Sequence, residues 1–111
     1  MKRVLIIEGE RLLVDGVVSL LSGGNGIHLL NKTVSDEPAL VNEIEAFQPS
    51  VIIVDERSPF ANLSLVHGVL KNYPKLRVIV IDERENFIHI YNKQSVTVNR
   101  SADLICAIHR V

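Results

Sequence analysis

Three short aliphatic runs in this chain each end in a carboxylate. The runs are residues 4–7, 51–54 and 78–81, and the carboxylates that follow them are Glu8, Asp55 and Asp82. Unbroken runs of this kind are typical of parallel strands buried on both faces, whereas a half-exposed strand alternates apolar and polar residues. Ligands of open α/β sheets bind at the carboxyl ends of the strands. The pattern therefore predicts a parallel sheet with an acidic edge.

Length and composition narrow the class of protein. A chain of 111 residues with 47% hydrophobic and 23% charged residues predicts one ordered domain spanning residues 1–111. The chain has one cysteine, Cys106, so an internal disulfide is excluded. The first strand begins with no room for a signal peptide before it. From these two features we expect a cytoplasmic protein. The net charge of −1 gives no sign of the basic surface that direct nucleic-acid binding needs. The apolar runs are too short to span a membrane.

Strand and helix patterns alternate five times along the chain. Strands are predicted at residues 4–7, 27–34, 51–54, 77–81 and 95–98, and helices at 10–22, 39–47, 63–73, 84–93 and 102–111. Asp36 and Asn62 are the expected N-caps of the second and third helices. The alternation predicts an α/β sandwich with helices on both faces of the sheet. Because the chain stops at the end of an apolar helix pattern, we expect the N-terminal fragment of a longer regulator.

The order and spacing of several segments resemble a known family. Residues 47–59, Phe-Gln-Pro-Ser-Val-Ile-Ile-Val-Asp-Glu-Arg-Ser-Pro, are similar to the phosphoacceptor segment of response-regulator receiver domains in two-component signalling. Residues 4–8, 34–40 and 73–81 support the resemblance, the last being similar to receivers of helix-turn-helix transcription regulators. The resemblance covers essentially the whole chain. It implies a flavodoxin-like (βα)5 fold, a five-stranded parallel sheet in the order 2-1-3-4-5, with a shortened fourth helix at residues 84–93.

The resemblance also assigns site residues. It implies that Asp55 is the phosphoacceptor and that Glu8, Asp55 and the backbone carbonyl of Arg57 bind Mg²⁺, here as a weak site. The residues alone leave a second interpretation open for Asp55, as an ordinary strand-terminal aspartate that caps the loop 56–61.

Three departures from the family pattern count against phosphorylation. Gly9 replaces the second acid after the first strand, and Asp82 replaces the serine or threonine after the fourth. Asn99 and Arg100 stand where the lysine after the fifth strand is expected. A second carboxylate near a phosphoryl group is repelled by ~1 to ~4 kcal/mol at about 4 Å. The departures indicate an atypical receiver.

Asp82 itself has two interpretations. It could form a salt bridge with Arg100, Arg84 or Arg57 that stands in for the phosphorylated state, or it could be a solvated loop acid.

The predicted function is regulatory and not enzymatic. The resemblance implies a histidine kinase as partner and a homodimer formed through the fourth helix, fifth strand and fifth helix. Exposed apolar residues between 84 and 111, such as Ile88, Ile90, Tyr91 or Ile105, would indicate such a partner face. The alternative is a small flavodoxin-like enzyme or ligand-binding domain that uses the acid cluster, although the chain has no Gly-rich phosphate loop.

Overall fold

A computed structural model describes residues 2–7, 27–34, 36–82, 87–92 and 96–100. Its strands are β1 (Lys2–Ile7), β2 (Ile27–Lys32), β3 (Val51–Asp55), β4 (Arg77–Asp82), β5 (Phe87–Tyr91) and β6 (Val96–Arg100). Its helices are α1 (Glu37–Phe47) and α2 (Leu63–Asn72), with a short 3-10 turn at Pro59–Ala61. The helices predicted at 10–22 and 102–111 lie outside the described residues.

The six strands form one sheet in the order β2-β1-β3-β4-β5-β6. The pairs β1–β2, β1–β3 and β3–β4 are parallel, which confirms the predicted order 2-1-3-4 and the α/β fold class. All five residues of β3 are buried, as are the last five of β4. The unbroken aliphatic runs therefore correspond to strands covered on both faces.

The prediction of a shortened fourth helix at residues 84–93 was wrong. Residues 87–91 form β5, which pairs with β4 and with β6 in the antiparallel sense, so the sheet is mixed. The sequence Phe-Ile-His-Ile-Tyr is rich in β-branched and aromatic residues, and its burial alternates with period two, Ile88 and Ile90 being buried. An antiparallel strand also needs a much shorter connection than a parallel crossover, which takes a dozen or more residues.

The insertion of β5 moves the predicted fifth strand outwards. Residues 96–100 form that strand, β6, but it pairs with β5 and not with β4. Two antiparallel steps leave β6 running in the same direction as β4.

Both described helices lie within two residues of their predicted bounds. The Asp36 carboxylate accepts a hydrogen bond from the Ala39 backbone N–H at 2.9 Å and caps α1. This helix ends at Gln48, which adopts a left-handed backbone conformation (φ 52°) before Pro49. Asn62 caps α2 by accepting from the Ser64 N–H at 2.9 Å.

One cluster of the core lies between α1, α2 and one face of the sheet. Its buried aliphatic members include Leu5, Ile52, Val54, Val78 and Val80 from the strands and Leu40, Ile44, Val66, Val69 and Leu70 from the helices. In β5, the residues that face this side are Phe87, His89 and Tyr91, because they pair with Asp82, Val80 and Val78. Tyr91 packs against the edge of the core.

Candidate functional site

Asp55 is the last residue of β3, at the carboxyl edge of the sheet. It is 3% exposed, and its Cα pairs with that of Ile81 in the neighbouring strand β4. Carboxylates are seldom this buried unless they are paired. The structure therefore places the candidate phosphoacceptor at the edge of the sheet where ligands of this fold bind. Because the Asp55 carboxylate is buried there, it needs a positively charged or hydrogen-bonding partner.

Arg57 supplies that partner. Its Nη2 donates to Asp55 Oδ2 at 3.2 Å and its Nε donates to Oδ1 at 3.3 Å, which is a two-pronged guanidinium–carboxylate pair. The Arg57 backbone N–H also donates to Oδ1 at 2.8 Å. Both carboxylate oxygens of Asp55 are thus engaged by one residue two positions along the chain.

Local backbone geometry makes this pairing possible. The Ser58 N–H donates to the Asp55 carbonyl at 2.9 Å, which closes a turn over residues 55–58. The side-chain bond from the Arg57 N–H to Asp55 adds an Asx turn within it. The Glu56 N–H donates to the Ile81 carbonyl at 3.0 Å and ties the turn to β4. Asp55 therefore caps its own loop, as the second interpretation of this residue predicted.

The pair between Arg57 and Asp55 was not predicted from the sequence, where the Arg57 side chain was considered only as a partner of Asp82. The resemblance assigned only its backbone carbonyl, and in a continuing strand residues two positions apart point to the same face but lie about 6.6 Å apart along it. Here the strand ends at Asp55, so the turn brings Arg57 back over the carboxylate. An Asp-x-Arg sequence at the end of a buried strand is the signal that could have predicted the pair.

Asp82 lies at the end of β4 and is 7% exposed. Its Cα pairs with that of Phe87 at the start of β5. This burial excludes the interpretation of Asp82 as a solvated loop acid. The structure keeps Asp82 at the same edge of the sheet as Asp55, one strand away.

The other predicted site residues are placed only in part. Glu8 lies outside the described residues. For Asn99 and Arg100 the structure describes the backbone, which lies in β6 opposite Ile88 and Phe87. Since adjacent strands are about 4.8 Å apart, the Arg100 backbone lies roughly 10 Å from β4. The structure brings Asp55, Arg57 and Asp82 to the carboxyl ends of the neighbouring strands β3 and β4. Arg100 lies in β6, and β5 separates that strand from β4.

The described residues do not fit a magnesium site. No group of three or more His, Cys, Asp or Glu side chains that could hold a metal ion occurs among them. Mg²⁺ requires near-octahedral oxygen ligands, yet both oxygens of Asp55 already accept hydrogen bonds from a cation. Of the oxygen ligands assigned by the resemblance, Asp55 and the Arg57 carbonyl are described, and Glu8 lies outside the described residues.

A cleft of about 460 Å³ lies at the opposite end of the sheet. It is lined by the ends of both helices and the residues that follow them, including Glu45, Gln48, Tyr73 and Lys75. The Tyr73 hydroxyl donates a short hydrogen bond to Glu45 Oε1. This bond, some burial and the Glu45 charge raise the pKa of Tyr73 above its usual value. None of the predicted site residues lines this cleft.

Two large apolar side chains are exposed in the described regions, Leu63 at 53% and Phe87 at 40%. Leu63 begins α2, which follows the loop after β3, and Phe87 lies opposite Asp82. Both therefore lie towards the carboxyl edge that holds Asp55. Ile88 and Ile90, which were considered as exposed partner residues, are buried instead, and Ile105 lies outside the described residues.

Comparisons with known proteins agree with this geometry. No protein-family model matches the chain. The chain is similar to the response regulator GacA of Pseudomonas protegens (strain DSM 19095 / LMG 27888 / CFBP 6595 / CHA0), at 24% identity over 82 residues. That match covers 73% of this chain and 38% of the relative, so the chain spans well under half the length of the curated protein it matches.

A solved structure shows the same architecture. The N-terminal domain of the nisin resistance regulator NsrR, a lantibiotic response regulator, superposes with a TM-score of 0.54 at 23% identity. The superposition covers 77% of this chain and 75% of that domain. The fold is that of a response-regulator receiver domain, and the similarity to GacA supports the resemblance found in the sequence.

In the described part of the chain, no helix has both the length and the apolar character needed to cross a membrane.

Proposed function

We propose that this chain is an atypical receiver-like regulatory domain that acts through protein–protein contacts, and that phosphorylation of Asp55 is not its switch. The proposal assigns the domain no enzymatic activity of its own and no direct contact with nucleic acid. A cytoplasmic location is part of the proposal and fits a chain with a single cysteine.

The pair between Asp55 and Arg57 is the observation that carries this proposal. A phosphoacceptor must present a free carboxylate oxygen to the incoming phosphorus atom, but both oxygens of Asp55 are bound by Arg57. Asp82, buried at the neighbouring strand end, adds a second acid where the family places a hydroxyl. An ionised carboxylate at this position cannot donate to a phosphoryl oxygen the hydrogen bond that a hydroxyl would supply.

Contacts with a partner are proposed to involve the carboxyl edge of the sheet. Leu63 and Phe87 place apolar surface there, and aromatic residues such as Phe87 are enriched at protein interfaces. A histidine kinase is the kind of partner that the response-regulator likeness suggests. A homodimer was predicted through a fourth helix; since residues 87–91 are a strand, we propose that any homodimer uses β5 in its place.

A phosphodonor assay tests the central part of the proposal. The protein is incubated with Mg²⁺ and acetyl phosphate, and its intact mass is measured beside that of Asp55→Asn. We expect no phosphoryl adduct on either protein. A stoichiometric adduct on the wild type that is missing from Asp55→Asn would show that Asp55 is a working phosphoacceptor.

The partner surface is tested by sedimentation as a function of protein concentration. Phe87→Ser should weaken self-association, because it removes exposed apolar area from β5. His67→Ser, an exposed change on α2, is the matched control and should leave association unchanged. A wild-type protein that stays monomeric at high concentration would remove the homodimer from the proposal.

A further inference from the structure

We infer that Arg57 is a built-in counter-ion that takes the place of a metal ion at Asp55, so that divalent cations bind this site only by displacing its guanidinium. The inference rests on the proposed receiver-like function but concerns how the site is held closed. It starts from the disagreement between the described residues and the magnesium site that the fold suggests.

The geometry of the pair supports the role of the Arg57 guanidinium as a substitute for a metal ion at Asp55. A guanidinium presents its N–H groups in a fixed fork that matches the two oxygens of a carboxylate. Arg57 uses this fork on Asp55 through Nε and Nη2, and its backbone N–H adds a third donor. These three donors use three of the roughly four lone-pair sites of the carboxylate, so a dication that binds it closely must compete with the guanidinium.

The difference in exposure between the two side chains explains why the pair forms. The Asp55 side chain is 4% exposed, whereas that of Arg57 is 46% exposed. A buried carboxylate without a partner is strongly unfavourable, and the pair removes that cost without a metal. The arginine, by contrast, keeps nearly half of its side chain exposed to solvent while it pairs with Asp55.

Chain connectivity makes the guanidinium a strong competitor. Arg57 is two residues from Asp55 and is held in the same hydrogen-bonded turn, so its effective concentration at the carboxylate is high and constant. A free cation must overcome both this concentration and the charge repulsion of the arginine. Removing the positive charge should therefore raise the affinity for a free dication.

Binding of Mn²⁺ alone, followed by water proton relaxation, tests the inference. Wild type is compared with Arg57→Met, which keeps the unbranched apolar stem of the side chain and removes its charge. We expect Arg57→Met to bind Mn²⁺ at least ~tenfold more tightly, as expected for removing a neighbouring unit charge. Lys71→Met makes the same change in net charge on the exposed last turn of α2 and should bind as the wild type does.

Two further variants identify the site of the effect. Arg57→Lys retains the charge and should stay within about threefold of the wild type, since the repulsion is preserved. The double variant Asp55→Asn/Arg57→Met should lose the gain in affinity, because the competing carboxylate is gone. If Arg57→Met does not fold, Arg57→Gln replaces it, since glutamine keeps an amide donor and lacks the charge.

The inference would be overturned by equal Mn²⁺ affinities of wild type and Arg57→Met, or by a gain that persists without the Asp55 carboxylate. These outcomes differ from those that decide the proposed function. A phosphoryl adduct on wild-type Asp55 defeats the proposed function, whereas unchanged Mn²⁺ binding in Arg57→Met defeats only the role of Arg57.

Discussion

Arg57 folds back over Asp55 and binds both of its carboxylate oxygens, at 3.2 Å and 3.3 Å. The pair closes the carboxyl end of β3, where the fold places its reactive or metal-binding residues. The pair gives Asp55 a structural role in the turn that follows β3. The same turn ties β3 to β4, because the Glu56 N–H donates to the Ile81 carbonyl.

Replacing Asp55 should expose this structural role. Asp55→Ala removes the acceptor of the Arg57 N–H as well as the ion pair, and we expect the free energy of unfolding to fall by about 1–3 kcal/mol. Asp55→Asn keeps Oδ1 as an acceptor for that N–H and should cost less. Urea unfolding of the three proteins measures the difference. Equal losses for alanine and asparagine would mean that the turn does not depend on Oδ1.

The strand β5 should show a two-residue period in alanine scanning. Ile88 is fully buried and Ile90 is 5% exposed, so each change to alanine should cost ~2–5 kcal/mol. Phe87→Ala and His89→Ala, on the more exposed face, should cost distinctly less. Thermal unfolding measures all four variants. A helical pattern of sensitivity, with Phe87 and Ile90 equally affected, would contradict the strand.

The stability of the protein should depend on Asn62 Oδ1, the oxygen that caps α2. Asn62 Oδ1 accepts from the backbone N–H groups of Ser64 and Leu65. Asn62→Ala should lower stability by about 1 kcal/mol, while Asn62→Asp retains the acceptor and should remain near the wild type. Urea unfolding monitored by circular dichroism decides between them. No loss in Asn62→Ala would show that the hydrogen bonds to Asn62 add nothing to α2.

Tyr73 should titrate above its usual value because its hydroxyl donates to Glu45, with smaller effects of burial and of the Glu45 charge. Since the folded pKa is raised, the stabilisation is present below about pH 10 and is lost as the pH rises through the raised pKa. Absorbance titration in a Tyr91→Phe background isolates Tyr73. Glu45→Ala should bring the pKa of Tyr73 down towards its ordinary value. An identical titration in both proteins would rule out the effect of Glu45.

Much of the fold could be predicted from local sequence signals. The aliphatic runs of β3 and β4 are buried on both faces, and these strands lie side by side and parallel, as such runs indicate. Asp36 and Asn62 cap helices where the sequence placed them. These features depend on residues close together in the chain, which is why single-sequence patterns identify them.

The strand β5 was missed because two patterns compete in residues 84–93. The alternation of strands and helices along the chain and the family resemblance both place a short helix there. The alternation of Phe87, His89 and Tyr91 with those isoleucines favours a strand, and tertiary pairing with β4 decides the outcome.

The candidate site was predicted in position but not in its interactions. Asp55 and Asp82 lie at the carboxyl edge, as strand-terminal acids should. The partner of Asp55 depends on the turn that follows β3, and strand periodicity does not specify how that turn folds back on the carboxylate. The magnesium ligand assigned at Glu8 and the phosphorylation of Asp55 stay predictions.

The side-chain N–H of Arg57 gives the most direct test of the account. In a ¹H–¹⁵N correlation spectrum of the wild type, we expect the Arg57 Nε–Hε signal to be resolved and slow to exchange with water, because it is bound to Asp55 Oδ1. In Asp55→Ala this signal should move to the position of the solvent-exposed arginines and exchange quickly. An Arg57 signal that is already solvent-like in the wild type, and unchanged in Asp55→Ala, would show that the carboxylate of Asp55 is not held by Arg57.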